Sequence, residues 1–223
     1  LPGARDVLLL IVCFELMGIP LYILATYAKT DDASGRDRNA PEAGLKLYLI
    51  GAASTAITLF GLSWVVGLAG STSIDVIARE PASPVLLVGI VMVLAGMGFK
   101  IGAVPFHMWV PDTYQGASTP FVAFLSVAPK AAGFAALLTL FHAGFGAHAK
   151  SWMPLVLIIT TVTLIGGNLL ALPQSNIKRL LAYSGVAQIG YMLMAFATMS
   201  AYGTGMLLGV KTLDAENTSA NYG

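Results

Sequence analysis

Pro84-Val85-Leu86-Leu87-Val88-Gly89-Ile90-Val91-Met92-Val93-Leu94-Ala95-Gly96-Met97-Gly98-Phe99-Lys100-Ile101-Gly102-Ala103-Val104-Pro105-Phe106-His107-Met108-Trp109-Val110 is apolar throughout, save for Lys100 and His107. About 20 consecutive apolar residues cross a bilayer as a helix. Alternating apolar and polar positions are missing, so a strand of a membrane barrel does not fit. Pro105 has no N–H to donate to the carbonyl of Ile101, one residue from the lysine. The stretch predicts a membrane helix interrupted between Lys100 and Pro105.

Working outward, five further stretches have the same length and character: Val7–Ala28, Leu45–Gly70, Phe121–Phe145, Met153–Leu172 and Asn176–Met199. A seventh begins at Ala201 and stops at Val210. Of the 223 residues 57% are hydrophobic and 10% charged, against about 25% charged in a soluble domain. So few charges cannot cover a water-facing surface. The expected fold is an all-α membrane protein, a multi-spanning bundle of six helices with the third broken. A net charge of +1 gives no reason to expect nucleic acid or an acidic substrate. Cys13 is the single cysteine, cannot pair within the chain, and reads as a small packing hydrophobe.

The ends read as follows. Glu15 interrupts the apolar run of a would-be signal peptide and no small-residue cleavage site follows, so the chain reads as starting within a longer protein. After Val210 the sequence turns abruptly polar, so 211–223 reads as a junction or unrelated tail, and Asn217-Thr218-Ser219 as a chance sequon. Lys29, Arg36, Arg38, Lys46, Lys178 and Arg179 fall on one side of the membrane, against Arg5, Arg79 and Lys150 on the other. That asymmetry makes the loops at 29–46, 111–120 and 173–176 cytoplasmic.

Three charges fall inside spans: Glu15, Lys100 and Lys130. Insertion scales assign about 2.5–3.5 kcal/mol to a Lys or Asp at a helix centre, so such groups face protein or a water-filled cavity. Pro20, Pro105 and Pro129 sit close to them and predict kinks, and broken membrane helices line cavities and ion sites. Desolvation penalises the charged form of a buried lysine, and a carboxylate alongside opposes that penalty. At about 4 Å and an effective dielectric near 20 the attraction is about 4 kcal/mol. A glutamate that approaches or retreats can therefore switch a lysine between holding and releasing a proton. The alternative is a set of structural ion pairs between helices.

His107 follows Lys100 by seven residues, on nearly the same face of a continuous helix. It reads as a proton relay or as a histidine satisfied at a helix end by Asp112 or backbone. Asp112, after Pro111, reads as a turn cap, and His142 and His148 as solvated loop residues. Haem fits poorly, for want of paired axial histidines or an attachment motif. Metal-ligand clusters, phosphate loops and nucleophile–base arrangements are all missing.

The sequence from Gly98 through Lys100, Pro105-Phe106-His107-Met108-Trp109-Val110-Pro111-Asp112 and Tyr114-Gln115-Gly116 to Ala117 resembles the signature of the antiporter-like, proton-conducting membrane subunits of respiratory complex I, the NADH:quinone oxidoreductase. The Phe-His-x-Trp and Tyr-Gln-Gly versions, with Ser126-Val127-Ala128-Pro129-Lys130-Ala131-Ala132-Gly133-Phe134, resemble the N-type members more than the L and M types. Phe14-Glu15-Leu16-Met17-Gly18-Ile19-Pro20-Leu21-Tyr22 is similar to the helix with the family glutamate. Asn176-Ile177-Lys178-Arg179-Leu180-Leu181-Ala182-Tyr183-Ser184 is similar to the start of a later one. The resemblance implies part of an antiporter-like fold with two inverted repeats, carried by residues 1–210.

It also implies roles: Glu15 as the modulating carboxylate, Lys100 as the proton site on a broken helix, Lys130 as the central relay, and Lys46 as part of the charged axis. It implies a translocase subunit in the bacterial inner membrane, in lipid and beside other membrane subunits of complex I. No cofactor is expected in this chain; NADH and quinone are used elsewhere in the complex. A subunit of a multi-subunit Na⁺/H⁺ antiporter, which shares the Lys and Glu scheme, stays open. The sequence departs from the family at Gln188, where many relatives carry His, and at Ser118, where Pro is usual.

Overall fold

The computed structural model describes residues 3–27 and 39–205. Among the described residues the architecture is all helix, with one isolated bridge between Asp6 and Ser73. Helix α1 (Val7–Thr26) starts at Asp6, whose carboxylate accepts from the N–H groups of Leu8 and Leu9 at 2.8 and 3.1 Å. This satisfies two of the donors that a helix start leaves unpaired. Helix α2 (Asn39–Ala69) runs to Gly70, and the short α3 (Ile74–Ile77) follows. Helix α4 (Pro84–Ile101) is capped by the Ser83 hydroxyl, which accepts from Leu86 N at 3.1 Å, with Pro84 in the first turn where no N–H is needed. Helices α5 (Trp109–Gly116), α6 (Thr119–Leu138), α7 (Ala149–Ala171) and α8 (Ile177–Gly205) complete the chain. A π-helical turn at Thr139–Gly144 extends α6.

Among the described residues six helices are long and apolar enough to cross a membrane. Their outward faces carry large apolar side chains such as Leu16, Ile23, Ile158, Ile165 and Leu169, each more than half exposed. Contiguous surface of that kind suits lipid rather than water. Contacts between helices rely on small residues and polar bridges. The Ser54 hydroxyl on α2 donates to the carbonyl of Gly96 on α4 at 2.8 Å. On α8 the backbone of Ala187 lies where a Cβ on Gly167 of α7 would sit. One apolar core gathers α1, α4, α7 and the π turn around Trp152, Phe141 and Phe145; a second joins α1, α5, α6 and α8 around Trp109, Val110 and Leu125.

The expected break is present, and it begins sooner than Pro105 requires. α4 stops at Ile101 because Gly102 adopts the left-handed conformation, φ 83°, which glycine alone enters without steric cost. Its N–H and that of Ala103 both return to the carbonyl of Gly98, at 3.0 and 2.9 Å. The Val104–Pro105 peptide is cis. Helix resumes at Trp109.

Pro20 and Pro129 lie within helices that continue through them, each with one helical hydrogen bond removed. Three other expectations need correction. α2 starts six residues before Leu45, so Glu42 and Lys46 belong to the helix and not to a loop. Ala201 prolongs α8 and opens no seventh helix; Met206–Val210, the tail 211–223 and most of the first charged loop lie outside the described residues. His148 is buried, its Nε2 3.1 Å from the carbonyl of Glu80, and His142 packs its ring on Phe196 at 5.4 Å with Nε2 buried. His148 is therefore not solvated, and His142 only in part.

Candidate functional site

The break leaves backbone groups that the surrounding protein satisfies, which is the condition for irregular backbone at membrane depth. The buried N–H of Val104 donates to Thr163 Oγ1 on α7 at 3.0 Å. The indole N–H of Trp109 donates to the carbonyl of Phe99 at 3.0 Å. The last turn of α4 is thus clamped from both sides, and Lys100 projects from that turn toward α1.

Lys100 Nζ lies 3.2 Å from Glu15 Oε1, with side-chain exposures of 11% and 27%. The same carboxylate oxygen accepts from the Thr55 hydroxyl of α2 at 2.8 Å. Thr55 also lies 3.0 Å from the carbonyl of Gly51. It has one hydroxyl proton, so it serves the glutamate or its own helix, not both. Lys100 Nζ donates to the Tyr22 hydroxyl at 3.2 Å and stands over the Phe14 ring at 5.3 Å. A charge-assisted pair with such partners is among the stronger hydrogen-bonded contacts. The sequence pairing of Glu15 with Lys100 is therefore present in the structure, whereas Thr55 and Tyr22 were not among the expected residues.

Lys130 is 6% exposed in the middle of α6, and its Nζ stands 5.6 Å from the ring centroid of Tyr114. Among the described residues no carboxylate lies within ion-pair distance of it. On one side it faces a cavity of about 570 Å³ between α6 and α8, which Lys178, Ser184 and Gln188 also line. Gln188, singled out in the sequence, thus shares a cavity with Lys130. Between Lys100 and Pro129, the residue before Lys130, lies a second space of about 30 Å³, room for a single water.

His107 does not stand where a continuous helix would put it. The helix ends at Ile101, so the two-turn relation to Lys100 is lost. Its ring packs against Tyr183 of α8 at 6.1 Å, with Nδ1 buried and without a protein partner. Asp112 is not a turn cap either. Its carboxylate accepts from Lys46 Nζ of α2 at 3.1 Å and from Arg179 Nη1 of α8 at 2.9 Å. Lys46 is further paired with Glu42 at 2.7 Å. Lys46 therefore belongs to a cluster of its own, nine residues and about 13 Å along α2 from Thr55 at 1.5 Å per residue.

The interrupted helix with its lysine–glutamate pair, and a second buried lysine on α6, belong to a chain with clear relatives. Residues 4–211 match the family described as NADH:quinone oxidoreductase/Mrp antiporter, TM. The chain belongs to that family. It is 47% identical over 203 residues to the NADH-quinone oxidoreductase subunit N of Heliobacterium modesticaldum, covering 90% of this chain and 42% of that relative. The respiratory complex I structure from Thermus thermophilus with bound Aureothin contains a chain that superposes with a TM-score of 0.75 at 36% identity, over 89% of this chain and 42% of that one. The Mrp complex from Dietzia sp. shares the fold at a TM-score of 0.79 and 22% identity, over 86% of this chain and 36% of its own. The chain thus spans less than half the length of these antiporter-family relatives.

Among the described residues of this antiporter-family chain, no group of His, Cys, Asp and Glu is arranged to hold a metal ion. What the site offers is proton chemistry: an amine, a carboxylate and hydroxyls, in surroundings that Phe14, Leu21 and Phe99 keep apolar.

Proposed function

We propose that this chain is the middle of a proton-translocating subunit, of the N type, in a NADH:quinone oxidoreductase of the bacterial inner membrane. The observation that carries the reading is the Lys100–Glu15 pair at the broken helix. A carboxylate that approaches or retreats changes the electrostatic hold on an ammonium, and this pair supplies both groups. Lys100 is the carrier, Glu15 the modulator, and Lys130 the next acceptor, reached through the small space at Pro129. His107 and Lys46 take supporting places, His107 near α8 and Lys46 in the charged cluster with Asp112. Residues 1–210 form the proton-conducting part, and 211–223 lie outside it. Electron transfer from NADH to quinone belongs to other subunits of the complex, which are this chain's partners together with lipid. The segments at 29–46, 111–120 and 173–176, which include the start of α2 and most of α5, face the cytoplasm.

The test uses the full-length subunit in the assembled complex, with proton uptake followed in membrane vesicles energised by NADH. Lys100→Ala should stop pumping through this subunit. Lys100→Arg should impair it too, since arginine keeps its proton. If Lys100→Arg pumps at the parental rate, the lysine is a structural cation and the relay fails. The Mrp-type alternative rests on the shared fold; uptake driven by a sodium gradient, with no dependence on NADH, would establish it instead.

A further inference from the structure

The Tyr22 hydroxyl is 3.2 Å from Lys100 Nζ, and it reaches that point through a space made by two glycines. A Cβ on Gly51 of α2 would overlap the Tyr22 hydroxyl, and one on Gly18 would lie 3.3 Å from both that oxygen and Lys100 Nζ. Tyr48 closes the other side, edge-on to the Tyr22 ring at 5.7 Å. The oxygen thus occupies space that glycine at position 51 leaves open. Tyr22 and Lys100 also line the small space that ends at Leu125 and Pro129. Pro129 has no N–H, so the carbonyl of Leu125 there lacks its helical donor. A hydroxyl accepts from an ammonium and donates to a neutral amine with equal ease. Tyr22 can therefore keep its bond to Lys100 through a change of protonation, as acceptor from the ammonium or as donor to the amine lone pair, and donation is something a carboxylate cannot offer.

We infer that Tyr22 is a positioning residue for Lys100: when Glu15 withdraws, its hydroxyl, seated against Gly18 and Gly51, holds the lysine nitrogen at the small space that Leu125 and Pro129 of α6 close. This rests on the proton-carrier reading of Lys100. Glu15 and Tyr22 hold the same nitrogen from two sides, so either one alone keeps it in place. Losing both frees the lysine side chain to leave the relay.

The experiment is a double-mutant cycle in the full-length subunit within the assembled complex. Proton uptake and NADH oxidation are measured together in vesicles, and assembly is checked by native electrophoresis. Tyr22→Phe keeps the ring and its packing and removes only the oxygen. Tyr22→Phe and Glu15→Gln should each slow uptake mildly. The double variant should lose about fivefold or more beyond the product of the two, as expected for groups sharing one partner. Gly51→Ala should reproduce Tyr22→Phe by displacing the hydroxyl, and should add little in the Tyr22→Phe background. Effects that simply multiply, or a Tyr22→Phe variant at the parental rate in both backgrounds, would overturn the inference. Lys100→Ala, run alongside, keeps the two readings apart. If it pumps normally the carrier assignment itself falls; if it stops pumping while the cycle shows no coupling, only Tyr22 is misassigned.

Discussion

Arg179 Nη1 donates to Asp112 Oδ1 at 2.9 Å, tying the first turn of α8 to the first turn of α5. The other carboxylate oxygen takes Lys46 Nζ of α2 at 3.1 Å. One aspartate therefore joins three helices just beyond the break. With side-chain exposures of 31–43% for these three residues, water screens each pair and no single bridge is worth much. Asp112 matters because it is shared.

Asp112→Asn should leave two cations facing each other across a neutral amide. Loss of about 1 kcal/mol of stability is expected, falling in high salt. Thermal unfolding of the detergent-solubilised protein at low and high ionic strength checks this. No loss at low salt would show that the cluster is ornamental to the fold.

Thr55→Val removes the 2.8 Å hydrogen bond to Glu15 Oε1 while keeping the shape of the side chain. A hydrogen bond to a charged group contributes about 1.5–3 kcal/mol, so Glu15 should leave Lys100 more readily. Proton uptake per NADH oxidised should fall with the complex intact. Unchanged coupling in vesicles would mean that Thr55 serves only the carbonyl of Gly51.

Thr163→Val should strand the N–H of Val104, which is buried and has Thr163 Oγ1 as its partner. An unsatisfied buried donor costs about 1–3 kcal/mol. The effect should be local: faster amide exchange across 102–108 and little change in α1 or α2, read by hydrogen–deuterium exchange with mass spectrometry.

Asp6 lies at the start of α1, outside the membrane span. The Thr72 hydroxyl first, and then the N–H of Leu9, hold its carboxyl below the usual value of 3.8. A carboxylate depressed on folding contributes stability above its unfolded value, and loses it as pH falls through the folded one. The stability difference between the parent and Asp6→Ala should thus persist at neutral pH and shrink below about pH 4. A pH series of thermal unfolding checks it. A difference that grows as pH drops would reverse the sign of this argument.

The six spans were legible because bilayer thickness and backbone hydrogen bonding leave helices as the only option for apolar runs of such length. The break was legible at Pro105 for a covalent reason, the missing N–H. Its true start at Gly102 was not, because a left-handed glycine competes with simple helix continuation and neighbouring contacts decide between them. Glu15, Lys100 and Lys130 stood out because charge inside an apolar run is costly whatever surrounds it.

The partners of those charges came only with the tertiary structure. Thr55, Tyr22 and Thr163 are ordinary residues for a membrane helix, and Asp112 is ordinary after a proline. Each gains its place from a contact 40 to 78 residues away in sequence, as with Thr55 to Glu15 and Tyr22 to Lys100. His107 shows the same limit from the other side, since seven residues predict one helical face only while the helix continues. Local sequence determined which groups had to be hidden from lipid, because their hydration cost is a property of each residue alone. Which groups meet, and hence which lysine has a carboxylate beside it and which has none among the described residues, was decided by helix packing, because pairing depends on distances that no local pattern contains.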